Sequence, residues 1–167
     1  GNGAWLGQEI REQCPKVKRI VVPIGGGGTA AGLAGELCPD GIEVLGVSPM
    51  LNCAMAESCQ LGRALTEYPG QRTVCEELEG GVGWRSYRAV KRYIERIHLV
   101  SEEEIMDAVV FAYRKLGLIM EPSAATVIAA ARDGRLALDD TSVLVITGGN
   151  IDSDVLHRWL AAPPHRA

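Results

Sequence analysis

The sequence predicts an α/β fold: an open, mostly parallel sheet flanked by helices on both faces, three layers in all. Three observations carry that expectation. Short apolar, β-branched runs alternate with stretches of helical periodicity along the 167 residues. The first of these runs passes straight into Gly25-Gly26-Gly27-Gly28, and a helical pattern opens directly behind it. The composition is that of an ordinary globular protein, with 47% hydrophobic and 23% charged residues, which suits one domain with a real core and rules out a low-complexity scaffold.

Each element has its own local cause. Residues 5–14 carry a helical pattern that Pro15 ends, and residues 19–24 (Arg-Ile-Val-Val-Pro-Ile) read as a buried strand. After the glycine run and Thr29, residues 30–37 form a small-residue helix that Pro39-Asp40-Gly41 stops. Residues 42–47 supply a second strand, and strand, helix and strand at this spacing imply a right-handed crossover between parallel neighbours. A helix over residues 52–61 closes at Gly62. Periodicity then fades over residues 63–83, an irregular stretch long enough to suggest function in a compact domain. Residues 84–94 are helical and residues 97–100 a brief strand. Ser101-Glu102-Glu103-Glu104 is a capping box, since the Ser101 hydroxyl can accept from the Glu104 N–H while that carboxylate reaches back. The helix it starts is expected to bury Ile105, Ala108, Val109, Ala112 and Leu116 and to stop at Gly117. Pro122 suits the first turn of the next helix, whose residues 124–131 are small and apolar and must pack tightly. Residues 143–146 form the last strand, which runs into Thr147-Gly148-Gly149-Asn150, and residues 152–160 the last helix. Residues 1–162 thus read as one unit, with 163–167 as a tail.

Several function classes are excluded at this level. A formal net charge of −4, with lysines and arginines scattered, lacks the basic footprint of a nucleic-acid binder. No apolar run reaches the ~18 residues of a membrane span, and no signal segment opens the chain, so a cytoplasmic protein is expected. Cys14, Cys38, Cys53, Cys59 and Cys75 form no C-x-x-C pair and are expected to be reduced, mostly packed thiols. His98, His157 and His165 show no metal-ligand spacing, and no metal site is expected.

Four glycines in a row are costly in conformational entropy, so a backbone geometry or a ligand must require them. An anion is the natural ligand: backbone N–H groups can turn toward it, the positive end of the following helix adds to the field, and Thr29 offers a hydroxyl. The alternative is a turn that only lets strand and helix approach closely. A Walker A loop is excluded by the missing Gly-Lys-Ser/Thr. A dinucleotide fits poorly, because the second strand ends Gly46-Val47-Ser48 with no acid for the ribose hydroxyls, and Glu43 lies near its start. Thr147-Gly148-Gly149-Asn150 lies at another strand end and could face the same pocket; otherwise Thr147 and Asn150 only satisfy the turn and cap the last helix. Glu121, just before Pro122, reads by default as a helix-start carboxylate.

With these residues in place, the chain resembles the C-terminal part of the threonine/serine dehydratase and serine racemase family, the tryptophan-synthase-like or fold type II pyridoxal-phosphate enzymes. The likeness rests on Gly1-Asn2-Gly3-Ala4, Val22-Pro23-Ile24 with Gly25 to Gly28, Val100-Ser101-Glu102-Glu103-Glu104-Ile105, Glu121-Pro122-Ser123-Ala124-Ala125, and Thr147-Gly148-Gly149-Asn150-Ile151-Asp152, all in the family's order. It implies that Gly25, Gly26, Gly27, Gly28 and Thr29 wrap the phosphate of pyridoxal 5'-phosphate. Thr147 would take the place of the hydroxyl that hydrogen-bonds the pyridine nitrogen, Glu121 would lie beside the ring, and Gly83 would pass its backbone near the reactive carbon. A hydroxyl at the ring nitrogen moderates the electron sink, which suits β-elimination of a β-hydroxy amino acid to a 2-oxo acid and ammonia. A racemase on the same scaffold and a non-catalytic phosphate-binding or regulatory subunit are the alternatives.

The sequence also departs from the family pattern. None of Lys16, Lys18, Lys91 or Lys115 has the Ser-x-Lys-x-Arg context of the family's Schiff-base lysine, and the family's grip on the substrate carboxylate also lies in its N-terminal part. No catalytic residue is therefore assigned, and the start at Gly1 leads to the expectation of a second polypeptide carrying the N-terminal half, and of an oligomer. Some members bind a divalent cation through acids after the second strand; Ser48-Pro49-Met50-Leu51-Asn52-Cys53-Ala54 supplies none there. The family's common Asp-Gly pair ahead of the cofactor-covering stretch reads Glu76-Glu77, so the substrate pocket is expected to differ.

Overall fold

The computed structural model describes residues 2–162, so Gly1 and the 163–167 tail lie outside the described residues. Four parallel strands form one sheet in the order β3-β2-β1-β4, with β1 at Arg19–Pro23, β2 at Glu43–Pro49, β3 at Ile97–Val100 and β4 at Ser142–Leu144. The strands alternate their apolar side chains between two cores. Ile20, Val22, Ile24 and Val44 face a core closed by α1 (Asn2–Gln13), α2 (Gly28–Leu37), α3 (Ala54–Leu61) and α4 (Trp84–Tyr93). Val21, Leu45 and Val47 face the other, closed by α5 (Glu102–Phe111), α6 (Pro122–Arg132) and α7 (Ser153–Ala161). These are the three expected layers. Among the described residues, no helix is long and apolar enough to cross a membrane.

The turn chemistry acts as the residues suggest. Ser101 Oγ accepts from the Glu104 N–H at 3.2 Å while Glu104 Oε2 accepts from the Ser101 N–H at 2.7 Å. Pro122 opens α6, and that helix is buried from Pro122 through Ala130 because it lies across the sheet beneath α5. All five cysteines are free; Cys53 and Cys75 are buried, Cys38 and Cys59 partly so, and Cys14 is exposed.

Three expectations need correction. Leu116 is 47% exposed rather than buried. After Phe111 the backbone widens into a π-helical turn, Ala112–Leu116, and this shift of phase carries Leu116 off the inward stripe before Gly117 ends the run at φ 67°. The helix after the glycines starts at Gly28 rather than residue 30, which places Thr29 inside its first turn. β4 is shorter than residues 143–146, although the Val145 N–H still reaches Val21 O at 2.9 Å.

Candidate functional site

The order of the strands creates the site. The chain leaves β1 toward α2 on one face of the sheet and leaves β4 toward α7 on the other. Loops that diverge from neighbouring parallel strands open a crevice at their carboxyl ends, the usual ligand position in open α/β sheets. Gly25 lies two residues past the end of β1, and Thr147 three past the end of β4. The sheet therefore brings together the two loops that the sequence singled out.

The glycine loop is shaped by what crowds it. A Cβ on Gly25 would stand 2.7 Å from both Cα and O of Leu78, and one on Gly26 3.4 Å from Gly81 O. Gly27 holds φ 82° and ψ 10°, a left-handed conformation that L side chains rarely adopt, and a Cβ there would meet Met55 Cε at 2.3 Å. Gly27 O accepts from the Ala31 N–H at 2.8 Å, the first bond of α2. Among the described residues, the N–H groups of Gly26 through Ala30 donate to no protein acceptor, and Gly26, Gly28 and Thr29 are exposed. Five consecutive donors without a protein acceptor among the described residues thus stand at the positive end of a ten-residue helix, three of them on exposed residues.

The irregular segment 63–83 forms a strap over this loop. Its seat is made of backbone and polar bonds: Leu65 O accepts from the Val82 N–H at 2.7 Å, Ser58 Oγ from the Leu65 N–H at 3.1 Å, and Glu57 Oε1 from the Tyr68 hydroxyl at 2.6 Å. Glu102 Oε1 accepts from the Thr73 hydroxyl at 2.7 Å, and its Oε2 from the Val74 N–H at 2.6 Å. The strap delivers Gly83 to the start of α4, exposed, where an added Cβ would meet only Ser86 Oγ, at 3.8 Å.

Glu121 secures the second loop. Its carboxylate, 8% exposed, accepts from the Asn150 N–H at 3.1 Å, and its own N–H donates to Gly148 O at 3.2 Å. A Cβ on Gly148 would stand 2.6 Å from both carboxylate oxygens, so glycine is the residue that lets this acid close against the loop. Thr147 itself is exposed at the crevice. Sequence reasoning missed Leu78 and Met55, which shape the glycine loop from residues far along the chain, and it missed the hydrogen bond from Ser123 Oγ to Glu77 Oε2 at 2.9 Å. No local pattern announces such contacts; the substitution of the Asp-Gly pair was the one hint at Glu77.

The model of the family described as "Pyridoxal-phosphate dependent enzyme" matches residues 1–148. The chain belongs to that family. L-threonine ammonia-lyase from Thermotoga maritima is 31% identical over 157 residues, which cover 92% of this chain and 39% of that protein. Serine racemase from Oryza sativa subsp. indica is 30% identical over 156 residues, covering 89% and 46%. The structure of the processed form of threonine deaminase isoform 2 from Solanum lycopersicum superposes with a TM-score of 0.84 at 25% identity, covering 96% of this chain and 49% of that one. The chain thus spans less than half the length of these curated relatives, and its fold is that of the fold type II pyridoxal-phosphate enzymes.

The family's cofactor is pyridoxal 5'-phosphate. The crevice suits it chemically. Unpaired backbone donors without side chains match a phosphate's acceptor oxygens, and a hydroxyl at the neighbouring strand end can bond a heterocyclic nitrogen.

Proposed function

We propose that this chain is the C-terminal part of a pyridoxal-phosphate-dependent ammonia-lyase that converts a β-hydroxy amino acid, threonine or serine, to a 2-oxo acid and ammonia. The observation that carries the reading is the crevice between β1 and β4, with the five free N–H groups of Gly26 through Ala30 on one side and Thr147 on the other. Gly25 to Gly28 and Thr29 hold the phosphate. The Thr147 hydroxyl bonds the ring nitrogen and, being neutral, does not enforce its protonation. Glu121 stands beside the ring with its charge already committed to the Asn150 N–H, and Gly83 keeps side-chain bulk away from the reacting carbon. The cofactor, when bound, supplies the electron sink for loss of the Cα proton. The Schiff-base lysine comes from a lysine-bearing N-terminal part on a second polypeptide, as the family resemblance implies. Leu118 and Ile119, 42% and 61% exposed, together with Leu116 and Ile146, offer that part an apolar surface near β4, one of the two edge strands of the sheet.

The racemases among the relatives give the second reading its support. One assay decides between the two. The chain assembled with the lysine-bearing part is incubated with L-serine and L-threonine, and 2-oxo acid, ammonia and D-amino acid are quantified. Ammonia and 2-oxo acid in equal amounts are expected. D-serine as the main product favours the racemase, and cofactor binding without any turnover favours the non-catalytic subunit.

A further inference from the structure

Ile24, the residue between β1 and Gly25, is held through both of its backbone polar groups, and from one side only. Its N–H donates to Val47 O at 2.7 Å, and its O accepts from the Ser48 hydroxyl at 2.9 Å. Both partners belong to β2. Ser48 is fully buried, so its hydroxyl has no water to turn to, and the other acceptor within reach, Asn52 O, stands farther off at 3.4 Å. The single hydroxyl proton therefore goes to Ile24 O. A trans peptide is planar, with its C=O and N–H pointing in opposite directions, and among the described residues no peptide bond is cis. A carbonyl drawn toward β2 thus sends the Gly25 N–H of the same peptide to the opposite side of β1. The strand order places β4, and with it the Thr147 side of the crevice, on that side. Gly25 is buried, yet its N–H donates to no protein acceptor among the described residues. Buried backbone donors left in that state are rare, and this one is not among the five already counted on Gly26 through Ala30.

We infer that Ser48 is a positioning residue for the cofactor's phosphate: by fixing the Ile24–Gly25 peptide, its hydroxyl aims the Gly25 N–H into the β1–β4 crevice as a sixth donor. The inference rests on the reading under Proposed function and deepens it, since it gives a cause to the first donor of the loop. Two effects act together. The bond to Ile24 O prevents the peptide from turning its N–H away, and a hydrogen bond accepted at the carbonyl polarises the peptide and strengthens the donor at its other end. The Leu78 backbone, packed against Gly25, closes the remaining side. Ser48 itself touches no ligand in this account; it acts through the peptide.

The test titrates the assembled protein with pyridoxal 5'-phosphate and with pyridoxal, as wild type, Ser48→Ala and Ser48→Thr, the last of which keeps a hydroxyl. Ser48→Ala is expected to weaken pyridoxal 5'-phosphate about tenfold and pyridoxal by less than about twofold, and Ser48→Thr to restore the phosphate preference to within about threefold of wild type. A hydroxyl that only satisfied a buried carbonyl would lower the thermal midpoint and weaken both compounds alike or neither. That result, or no rescue by a Ser48→Thr protein with a wild-type midpoint, overturns the inference. If Ser48→Ala does not fold, the wild-type amide decides. With isotope-labelled glycine, the Gly25 amide proton is expected to shift downfield on addition of inorganic phosphate, and a resonance that stays in place overturns the inference. Equal wild-type affinity for the two compounds defeats the phosphate reading and the inference with it; a wild-type preference that Ser48→Ala leaves intact defeats the inference alone.

Discussion

An added methyl group separates the loop glycines by what they are for. At Gly25 it would strike the Leu78 backbone at 2.7 Å, and at Gly27 it would require a left-handed residue with a side chain, whereas at Gly28 it would meet nothing within 4 Å. Gly25 and Gly27 are thus explained by the fold, and Gly28 needs a cause outside the chain. Gly28→Ala is expected to leave the thermal midpoint unchanged or slightly raised, since alanine is the better helix former, while weakening pyridoxal phosphate at least about fivefold through crowding of the phosphate. Gly25→Ala is expected to lower the midpoint as well, because backbone rather than a flexible side chain must give way. Thermal unfolding and cofactor titration check both; unchanged cofactor affinity in Gly28→Ala would count against a phosphate at this loop. The sequence alone could not sort these glycines, since the crowding atoms belong to Met55 and Leu78, brought in from elsewhere in the chain.

At the level of elements, α5 serves two purposes through adjacent residues. Ser101 caps the helix, and its replacement by alanine is expected to cost about 1 kcal/mol, with no change in cofactor affinity. Glu102 accepts from the Thr73 hydroxyl and the Val74 N–H and so ties the strap down. Glu102→Ala is expected to lower stability by about 1–3 kcal/mol and also to weaken the cofactor, because the strap is what presses on Gly25. Denaturant unfolding paired with cofactor titration separates the two outcomes. The capping box was legible in four consecutive residues, as were the strand runs and Pro122, because each rests on local chemistry. The seat of the strap was not, since Glu102 gave a local signal only for the helix it opens. Leu116 misled for a related reason: the widened turn that exposes it leaves no mark in the apolar spacing.

For the whole molecule, the parallel sheet and its two cores could be anticipated from alternating patterns, but the crevice depends on the side from which β4 joins β1, a fact of topology that no local run contains. The thiols report on the packing of the cores. Burial above all pushes the Cys75 thiol up to about 12 from its ordinary 9.0, with the Glu102 carboxylate adding to the effect, and its side chain is fully buried. Because the unfolded thiol ionises first, this residue's contribution to stability is complete below about pH 9 and is lost as the pH rises toward 12. At pH 8 a thiol reagent is expected to modify exposed Cys14 quickly and Cys75 only on global unfolding, as peptide mass mapping would show; rapid labelling of Cys75 in the native protein would mean that the α5–α6 core is misdescribed. The central claim is that the β1–β4 crevice holds a phosphate-bearing pyridoxal. It is tested most directly by titrating the assembled protein with pyridoxal 5'-phosphate and with pyridoxal, which differ only in the phosphate. A loss of about 100-fold in affinity without the phosphate is expected, together with competition by inorganic phosphate. Equal affinity for the two compounds would contradict it.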